Sequence, residues 1–348
     1  MEKLKQTMKD ELNDVIADDR VEESNFCTLF DINYIATGLT LYESLLKNVK
    51  KSVLWVVCMD SDTYDKLESL SLDRLKPVKL ETIEAHFPEL RQAKLNRSKV
   101  EYYFTCKSAI LRFLFEVVRV ENAAYVDADM YFFNDFAHPR ITDCSTIITP
   151  HLFPHSQQHL DVCGKFNAGF VSVQASEVSF RLLRKWYEDC IEWCYDRIEN
   201  GKYGDQKYLD QWKIQFDDVY ESCHENLNVG PWNVGGKTVG EGHETVTLNG
   251  NRLICFHFHG LKKISAHKYE LGVDHYDIPN LADVVNAIYI PYMLARRRVE
   301  NKYGVLSVQK KVREKAAKSG ILWQLRLMVS RLLRRKYCID MRRYETVQ

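Results

Sequence analysis

Two aspartate residues, Asp127 and Asp129, stand one residue apart and are the part of the chain best suited to chemistry. They separate the short apolar runs 123–126 and 130–133, so we expect them where a buried strand ends. Side chains alternate along a strand, which would direct both carboxylates to the same side. Two such oxygen donors can hold Mn²⁺ or Mg²⁺ with positions left for phosphate oxygens, and that cation would stabilise a departing diphosphate. The pair therefore predicts a divalent-cation site of this kind.

The surroundings of this pair bear on the prediction, because Asp-x-Asp is a short motif and acidic residues also begin turns and cap helices. Burying two carboxylates without a cation or hydrogen-bond donors costs roughly several kcal/mol, so a basic partner is expected. Arg112 lies on the amphipathic helical stretch 102–118 that precedes the pair. We predict that Arg112 binds Asp127 or a phosphate group, and Lys107 is the competing candidate.

The first half of the chain alternates between predicted strands and predicted helices. Residues 26–30 and 78–80 are predicted strands, the nearly continuous apolar run 53–59 is typical of a buried parallel strand, and segments with helical spacing lie between them. This order predicts an α/β fold with a Rossmann-like, mostly parallel central sheet flanked by helices. Ligands collect at the carboxyl ends of such strands, where both Asp31 and the acidic pair fall. No glycine-rich dinucleotide motif follows the first strand and no P-loop sequence occurs, which disfavours those enzyme classes.

The second half of the chain supplies polar groups suited to sugar hydroxyls and to a metal. Asn167 stands at a turn into a strand, and Asp205 and Gln206 open a predicted helix, where Asp205 could instead act as a cap. His257 and His259 alternate with phenylalanines on a predicted strand, so both imidazoles would share one side. A lone histidine on a strand is usually a core residue, but the acidic pair makes His257 a candidate third ligand.

Taken in order, these motifs resemble those of the GT-A-fold glycosyltransferases. The resemblance is greatest to glycosyltransferase family 8, which contains glycogenin and the bacterial lipopolysaccharide galactosyl- and glucosyltransferases, and it covers residues 26–263. The matching segments are Phe30-Asp31-Ile32-Asn33-Tyr34, Asp127-Ala128-Asp129, Phe166-Asn167-Ala168-Gly169, Asp205-Gln206 and His257-Phe258-His259-Gly260-Leu261-Lys262-Lys263.

The resemblance implies a role for each matched residue. Nucleotide binding is implied for Asp31, Asn33, Asp127 and Lys263, and metal binding for Asp127, Asp129 and His257. Donor-sugar binding is implied for Asn167, Ala168, Gly169, Asp205 and Gln206, and a catalytic role for Asp205 and Gln206. Arg112, a further nucleotide-binding candidate, ends a segment that differs from the family pattern Tyr-Ala-Arg-Leu. Ile264-Ser265 also replaces the family's Pro-Trp after Lys263, and Gly230-Pro231-Trp232-Asn233 is not a general family feature.

The resemblance therefore implies a metal-dependent glycosyltransferase with Mn²⁺ or Mg²⁺ as cofactor. Its donor would be a nucleotide-diphosphate sugar, by resemblance a UDP-sugar, and its acceptor a glycan or a lipid-linked glycan in bacterial surface-polysaccharide or lipopolysaccharide synthesis. Retention of configuration is expected, with the diphosphate taking the acceptor proton. An inverting enzyme would instead require a carboxylate base, for which Asp205 is the first candidate.

Two other functional classes compete with this interpretation. A phosphatase of the haloacid-dehalogenase type also uses Asp-x-Asp, but it expects the motif on its first strand and Thr or Val two residues after the second Asp, where this chain has Tyr131. A non-catalytic binding protein could keep the same fold. Intact Asp127, Asp129, His257 and Lys263 argue against that alternative.

Charge is distributed unevenly along the chain. Residues 296–348 contain 16 basic and 4 acidic residues, a net charge of +12, and the remainder carries −12. We expect a charged leader at 1–25, a catalytic domain at 26–290 and a basic amphipathic helical tail at 291–348. The apolar stripe within 319–336 is typical of a helix that lies on an anionic membrane surface, and equally of one packed on its own domain.

The expected compartment follows from the N-terminus and the cysteines. Residues 1–23 lack the apolar segment of a secretory signal, and the longest apolar run, 53–59, is far too short to span a bilayer. The 10 cysteines form no Cys-x-x-Cys pair, which favours reduced thiols. We expect a cytoplasmic protein held peripherally at the inner face of the cell membrane. No nucleic-acid partner is expected, because no base-reading module accompanies the basic tail.

Overall fold

A computed structural model describes residues 23–138, 142–241, 245–305 and 337–344. The strands of these residues are, in chain order, β1 (Ser24–Phe30), β2 (Ser52–Cys58), β3 (Leu75–Lys79), β4 (Asn122–Val126), β5 (Met130–Phe132), β6 (Thr146–Pro150), β7 (Phe166–Gln174), β8 (Val219–Glu221), β9 (Val239–Glu241), β10 (Val246–Leu248), β11 (Asn251–Arg252), β12 (Cys255–His257), β13 (Lys262–Ser265), β14 (Lys268–Glu270) and β15 (Cys338–Asp340). The α-helices are Ile35–Asn48, Ser61–Leu70, Leu80–His86, Glu89–Asn96, Lys99–Phe113, Glu177–Glu192, Trp212–Gln215, Leu281–Val284 and Ile290–Tyr303.

The centre of the fold is a seven-stranded sheet in the order β3-β2-β1-β4-β7-β6-β8. Strand β1 runs parallel to β2 and β4, β2 runs parallel to β3, and β6 runs parallel to β8. Only β7 runs against its neighbours β4 and β6. Helices cover the sheet, so the predicted α/β fold with a mostly parallel central sheet is confirmed.

The helix Lys99–Phe113 carries the buried side chain of Lys107. It begins with a capping box in which Ser98 and Glu101 satisfy each other's backbone amides, a strong start signal for a helix. Its apolar face packs with Tyr125 of β4 and with Trp186 of the helix Glu177–Glu192 in one buried cluster. Lys107, near the middle of the helix, reaches Asp127 just beyond the end of β4, at 3.0 Å.

A small antiparallel pair joins two segments that are far apart in the chain. Strand β5 follows the acidic pair directly and pairs with β12, so that Met130 lies opposite His257. Burial of Phe132 and Cys255 in one cluster and of Phe256 in another gives both faces of this pair an apolar contact. The β5–β12 pairing is the element that brings the predicted third ligand to the acidic pair.

The C-terminal part of the described chain packs on the sheet domain. The helix Ile290–Tyr303 lies against the helix Ile35–Asn48, and its residues Val299 and Tyr303 enter the same buried cluster. Strand β15 pairs with β14, so the chain returns to the domain at residues 338–340. The predicted leader and the amphipathic stretch 319–336 lie outside the described residues, apart from residues 23–25 of the leader. The domain boundaries and membrane binding stay predictions.

Two further sequence-based expectations can be compared with the fold. All 10 cysteines are free thiols, as expected. No helix among the described residues combines the length and the apolar character needed to cross a bilayer.

Candidate active site

The acidic pair lies in a turn between β4 and β5. The Asp127 amide donates to the Gly169 carbonyl at 2.9 Å, and the Met130 amide donates back to the Asp127 carbonyl at 3.0 Å. We expected side-chain alternation along a strand to align the two carboxylates. That reason is wrong, because the extended strand ends at Val126. The turn nevertheless brings both carboxylates to one place.

His257 meets this pair from β12. Its backbone amide donates to Val229 and the next amide, of Phe258, donates to the Asp129 carbonyl, at 2.7 and 2.9 Å. The ring Nε2 lies 3.1 Å from Asp129 Oδ1 and 3.8 Å from Asp127 Oδ2. One ligand atom from each of the three residues falls within 4.8 Å of the other two.

The three groups influence one another electrostatically. Burial acts to raise the pKa of Asp129, but the imidazole of His257 outweighs it and lowers that pKa to about 2. Burial acts to lower the pKa of His257, but the carboxylates of Asp129 and Asp127 raise it. The two carboxylates therefore place negative charge beside the Nε2 atom of His257.

This donor set fits a divalent cation. Two carboxylate oxygens and one imidazole nitrogen within mutual reach form a mixed oxygen and nitrogen shell of the kind that Mn²⁺ accepts. His257 is 3% exposed and fixed by its strand, so metal binding costs this side chain little conformational entropy. Its Nδ1 is buried with no hydrogen-bond partner among the described residues and faces Gly169, whose added Cβ would lie 2.8 Å from that atom. Asp127, Asp129 and His257 are therefore the residues that would hold the ion.

Lys107, and not Arg112, is the basic partner of the acidic pair. Lys107 Nζ lies 3.0 Å from Asp127 Oδ1 and 3.5 Å from Asp205 Oδ2, and the side chain is 6% exposed. Both carboxylates raise the pKa of Lys107 against the effect of its burial. Arg112 instead forms an ion pair at 2.9 Å with Glu116, which lies in the π-helical turn Leu114–Val118 that follows the helix. The structure does not bring Arg112 to Asp127, because helical periodicity turns positions 107 and 112 to different sides.

Asp205 faces the acidic pair through Lys107 and does not cap a helix. It precedes the 3-10 helix Gln206–Gln211, but its side chain makes no capping hydrogen bond. Its Oδ2 has no hydrogen-bond partner among the described residues, and burial raises its pKa against the effect of Lys107. Gln206 beside it donates from Nε2 to the Cys163 carbonyl at 2.9 Å. The predicted reaction-centre pair therefore lies next to the predicted metal ligands.

Asn167 is held by a network that the sequence did not reveal. Its amide oxygen accepts from the Gly169 amide at 2.9 Å and from Asn228 Nδ2 at 3.1 Å. Its amide nitrogen donates to His151 Nε2 at 3.1 Å, while His151 Nδ1 faces the Lys165 carbonyl at 3.2 Å. Ala168, next to it on β7, is fully buried. His151 thus orients Asn167 toward the site.

Three predicted nucleotide-binding residues lie outside this cluster. Asp31 is buried, accepts from the Asn33 amide at 2.9 Å and forms an ion pair with Lys99, while Asn33 itself is exposed. Lys263 is 3% exposed and forms an ion pair with Glu300 of the helix Ile290–Tyr303. Roles for these residues in nucleotide binding stay predictions.

A cavity of about 250 Å³ joins the described groups. Its polar lining consists of Lys107, Asp127, Asn167, Gly169, Asp205, Gln206 and His257. Its aromatic lining consists of Phe104, Phe153, Tyr203, Trp232 and Tyr276, with His151 and His259 beside them. The aromatic residues come from five separate segments, so no local pattern indicated that they would meet. The only sequence signal was the unusual Gly230-Pro231-Trp232-Asn233 segment.

Two proteins of Bacillus subtilis (strain 168) are similar to this chain in sequence. The one described as uncharacterized protein YfnD is 30% identical over 283 residues, which are 79% of this chain and 89% of that protein. The one described as uncharacterized protein YfnF is 28% identical over 253 residues, 70% of this chain and 83% of that protein. No protein-family model matches the chain.

Several solved glycosyltransferases resemble the chain at low TM-scores. Galactosyltransferase LgtC, solved with donor and acceptor sugar analogs, has a TM-score of 0.42 and 17% identity over 60% of this chain and 76% of that one. Glycosyltransferase GlyE of Streptococcus pneumoniae TIGR4 has a TM-score of 0.44 and 14% identity over 83% and 66% of the two chains. Likenesses of this extent carry no functional conclusion.

Proposed function

This chain belongs to the family of Bacillus subtilis YfnD, and we propose that it is a metal-dependent glycosyltransferase. Its donor is a nucleotide-diphosphate sugar, taken to be a UDP-sugar from the motif resemblance, and it acts with retention of configuration. Its acceptor is a glycan or a lipid-linked glycan in bacterial surface-polysaccharide synthesis, reached from the inner face of the membrane. The observation that carries the proposal is the meeting of Asp127, Asp129 and His257, within 4.8 Å, beside a cavity that Asp127 and His257 line together with Asp205 and Gln206.

The side chains divide the work of a sugar transfer between them. A cation held by Asp127, Asp129 and His257 would neutralise charge on the diphosphate as the bond to the sugar breaks. Lys107 keeps Asp127 in place and compensates its charge, so the acidic pair can face a phosphate group. The bond between the anomeric carbon of the donor sugar and the diphosphate oxygen breaks, and that carbon bonds to the acceptor oxygen. The acceptor proton passes to the diphosphate.

The polar residues opposite the metal cluster are suited to sugar recognition. Asp205 Oδ2 forms an ion pair with Lys107 at 3.5 Å but accepts no hydrogen bond within the described residues, and a carboxylate oxygen can accept from hydroxyl groups. Asn167 is fixed by three hydrogen bonds and can offer its amide from a rigid position. Such preorganised groups lose little entropy when a ligand binds.

A phosphatase that uses the same Asp-x-Asp motif is less well supported by the geometry. Such an enzyme needs the first aspartate as a free nucleophile. Asp127 here accepts from the Tyr125 hydroxyl at 2.9 Å and is paired with Lys107, and its motif follows the fourth strand of the chain. Hydrolysis of a simple phosphate monoester by the purified protein would favour this second function.

The decisive experiment measures Mn²⁺-dependent binding of UDP and slow hydrolysis of UDP-sugars by the Asp129→Ala variant. Asp129 supplies the oxygen closest to His257, so its removal leaves two of the three ligands. We expect UDP binding in the presence of Mn²⁺ to weaken at least about tenfold and donor hydrolysis to fall by a similar factor or more. Asp62→Asn, a change on an exposed helix start, is the matched control.

Circular dichroism and thermal unfolding establish that both variants fold. Unchanged Mn²⁺-dependent binding and hydrolysis in folded Asp129→Ala protein would exclude the proposed function. Binding of UDP without any donor hydrolysis by the wild-type protein would favour a non-catalytic binding protein instead.

A further inference from the structure

Four aromatic rings form a continuous wall beside the candidate metal cluster. The His151 ring stacks on Phe153 with ring centroids 4.8 Å apart, and meets the Trp232 ring edge-on at 5.4 Å. The Trp232 ring in turn meets the His259 ring at 6.1 Å. We call these four residues, Phe153, His151, Trp232 and His259, the ring wall, and all of them line the cavity.

The ring wall contacts the site of chemistry directly. Trp232 meets the His257 ring edge-on at 5.3 Å, and His259 meets the same ring at 5.8 Å. A group that rests on the ring wall therefore lies next to the ligands that would hold the donor diphosphate. His259 is exposed, whereas His257 is 3% exposed, so His259 marks the entrance to this side of the cavity.

The ring wall contains a polar atom without a partner. Trp232 is 3% exposed, and its indole Nε1 makes no hydrogen bond within the part of the chain that the structure describes. Buried polar groups in folded proteins are nearly always paired, and Trp232 lines the cavity, so a ligand in the cavity could supply the acceptor that this donor lacks. A sugar hydroxyl is such an acceptor.

The position of Trp232 is set by close packing. A Cβ added to Gly230 would lie 2.4 Å from the Trp232 ring, so only glycine at 230 lets the ring rest on the backbone. Leu152, which stands between His151 and Phe153 in the chain, adopts a left-handed backbone with φ of 53°, which is unusual for a bulky residue. The ring wall therefore depends on a glycine at position 230 and on an unusual backbone conformation at Leu152.

We propose that the ring wall is the acceptor subsite, that it takes an uncharged pyranose, and that Trp232 and His259 position the acceptor hydroxyl. The inference rests on the proposed function and extends it to the substrate that receives the sugar. A pyranose has an apolar face of C–H groups that packs on aromatic rings and hydroxyls at its edge that need hydrogen bonds. The ring wall offers both kinds of contact.

The charge of the ring wall supports an uncharged sugar. Burial lowers the pKa of His151 to about 4, so this ring is neutral near pH 7. The lysine of the cavity, Lys107, is already shared by Asp127 and Asp205. A uronic acid or a sialic acid on the ring wall would therefore find no unshared cation among the described lining residues.

The test uses simple glycosides as probes of the full-length protein. Methyl α- and β-glucopyranosides and galactopyranosides are added with UDP and the diamagnetic ion Mg²⁺, and saturation-transfer NMR from aromatic protons detects binding. The wild-type protein is expected to transfer saturation to the ring C–H protons of at least one glycoside. Trp232→Phe keeps a ring but removes the N–H group, and His259→Ala removes the imidazole. Each change is expected to weaken glycoside binding roughly tenfold.

Two further variants separate positioning from structure. His259→Gln keeps a hydrogen-bonding group and is expected to retain most glycoside binding, and His224→Ala, an exposed histidine away from the cavity, should have no effect. In transfer assays His259→Ala should raise the KM for the glycoside, and His259→Gln should restore most of that loss.

Wild-type protein that binds UDP but none of the glycosides would overturn this inference alone, as would wild-type glycoside binding by both Trp232→Phe and His259→Ala. Absence of metal-dependent UDP binding would overturn the proposed function itself. The two failures are therefore distinguishable in one set of measurements.

Discussion

Gly169 is the residue that allows His257 to approach the acidic pair. A Cβ at this position would lie 2.8 Å from the His257 ring and 2.6 Å from Asn167 Oδ1, closer than real contacts permit. We predict that Gly169→Ala displaces the imidazole, weakens Mn²⁺ binding about tenfold or more, and lowers the free energy of unfolding by about 1–3 kcal/mol. Titration calorimetry with Mn²⁺ and urea unfolding are the measurements.

The background variant His257→Ala provides the control for this prediction. With the ring removed, part of the clash disappears, so Gly169→Ala should destabilise the His257→Ala protein less than it destabilises the wild type. Equal destabilisation in both backgrounds would show that the cost of the Cβ lies elsewhere, and unchanged Mn²⁺ affinity would contradict the prediction.

At the residue scale, the sequence predicted which groups meet but not the contacts that hold them. Residue types and motif order were sufficient to bring Asp127, Asp129 and His257 together, because hard oxygen donors and imidazole form a recognisable metal set. Lys107 was named only as a competitor to Arg112, since both positions lie on the same amphipathic helix. The choice between them depends on the angle at which that helix packs, which tertiary contacts decide.

At the element scale, β13 and the helix Ile290–Tyr303 are joined by a buried ion pair. Lys263 and Glu300 are each nearly inaccessible to water, and Arg296 lies 3.5 Å from the other Glu300 oxygen. Removing one partner of a buried pair leaves an uncompensated charge and costs about 3–5 kcal/mol. Glu300→Leu leaves Lys263 without its partner and weakens the position of Arg296, whereas Lys263→Met leaves Glu300 beside Arg296.

We therefore predict that Glu300→Leu lowers the free energy of unfolding more than Lys263→Met does, and that the double variant recovers much of the loss. Urea unfolding of the three proteins tests the order, with the exposed neighbour substitution Lys262→Met as the control. A larger loss for Lys263→Met than for Glu300→Leu would contradict it. UDP affinity of the Lys263→Met protein tests separately the prediction that Lys263 contacts the diphosphate.

The elements themselves were predictable where the apolar pattern was long. Runs at 26–30 and 53–59 match β1 and β2 closely, because buried parallel strands are apolar on both faces. The predicted strand around His257 contains only the short β12, whose place is fixed by pairing with β5. Strands β5 and β12 are far apart in the chain, so their pairing leaves no local signal in the sequence. The ring wall was missed for the same reason.

At the scale of the whole molecule, two buried histidines make stability depend on pH. Burial lowers the pKa of His138, whose ring nitrogens lie 2.8 Å from the Ser172 hydroxyl and the Cys144 carbonyl, and burial lowers the pKa of His151 to about 4. In the unfolded chain a histidine has a pKa of about 6.5. Below that pH the unfolded chain binds protons that the folded protein does not, so the free energy of unfolding must fall as the pH falls.

We predict a loss of stability of up to roughly 1.4 kcal/mol per pH unit for each of these histidines as the pH falls from about 6.5 to 5. The raised pKa of His257 does not add to this loss, because its stabilising contribution is complete below pH 6.5 and is lost only as the pH rises through its folded pKa. Urea unfolding at several pH values in the presence of a chelator measures the slope. His138→Asn should reduce the slope and the exposed substitution His224→Asn should not, and an unchanged slope in His138→Asn would show that His138 is not the group that binds the proton on unfolding.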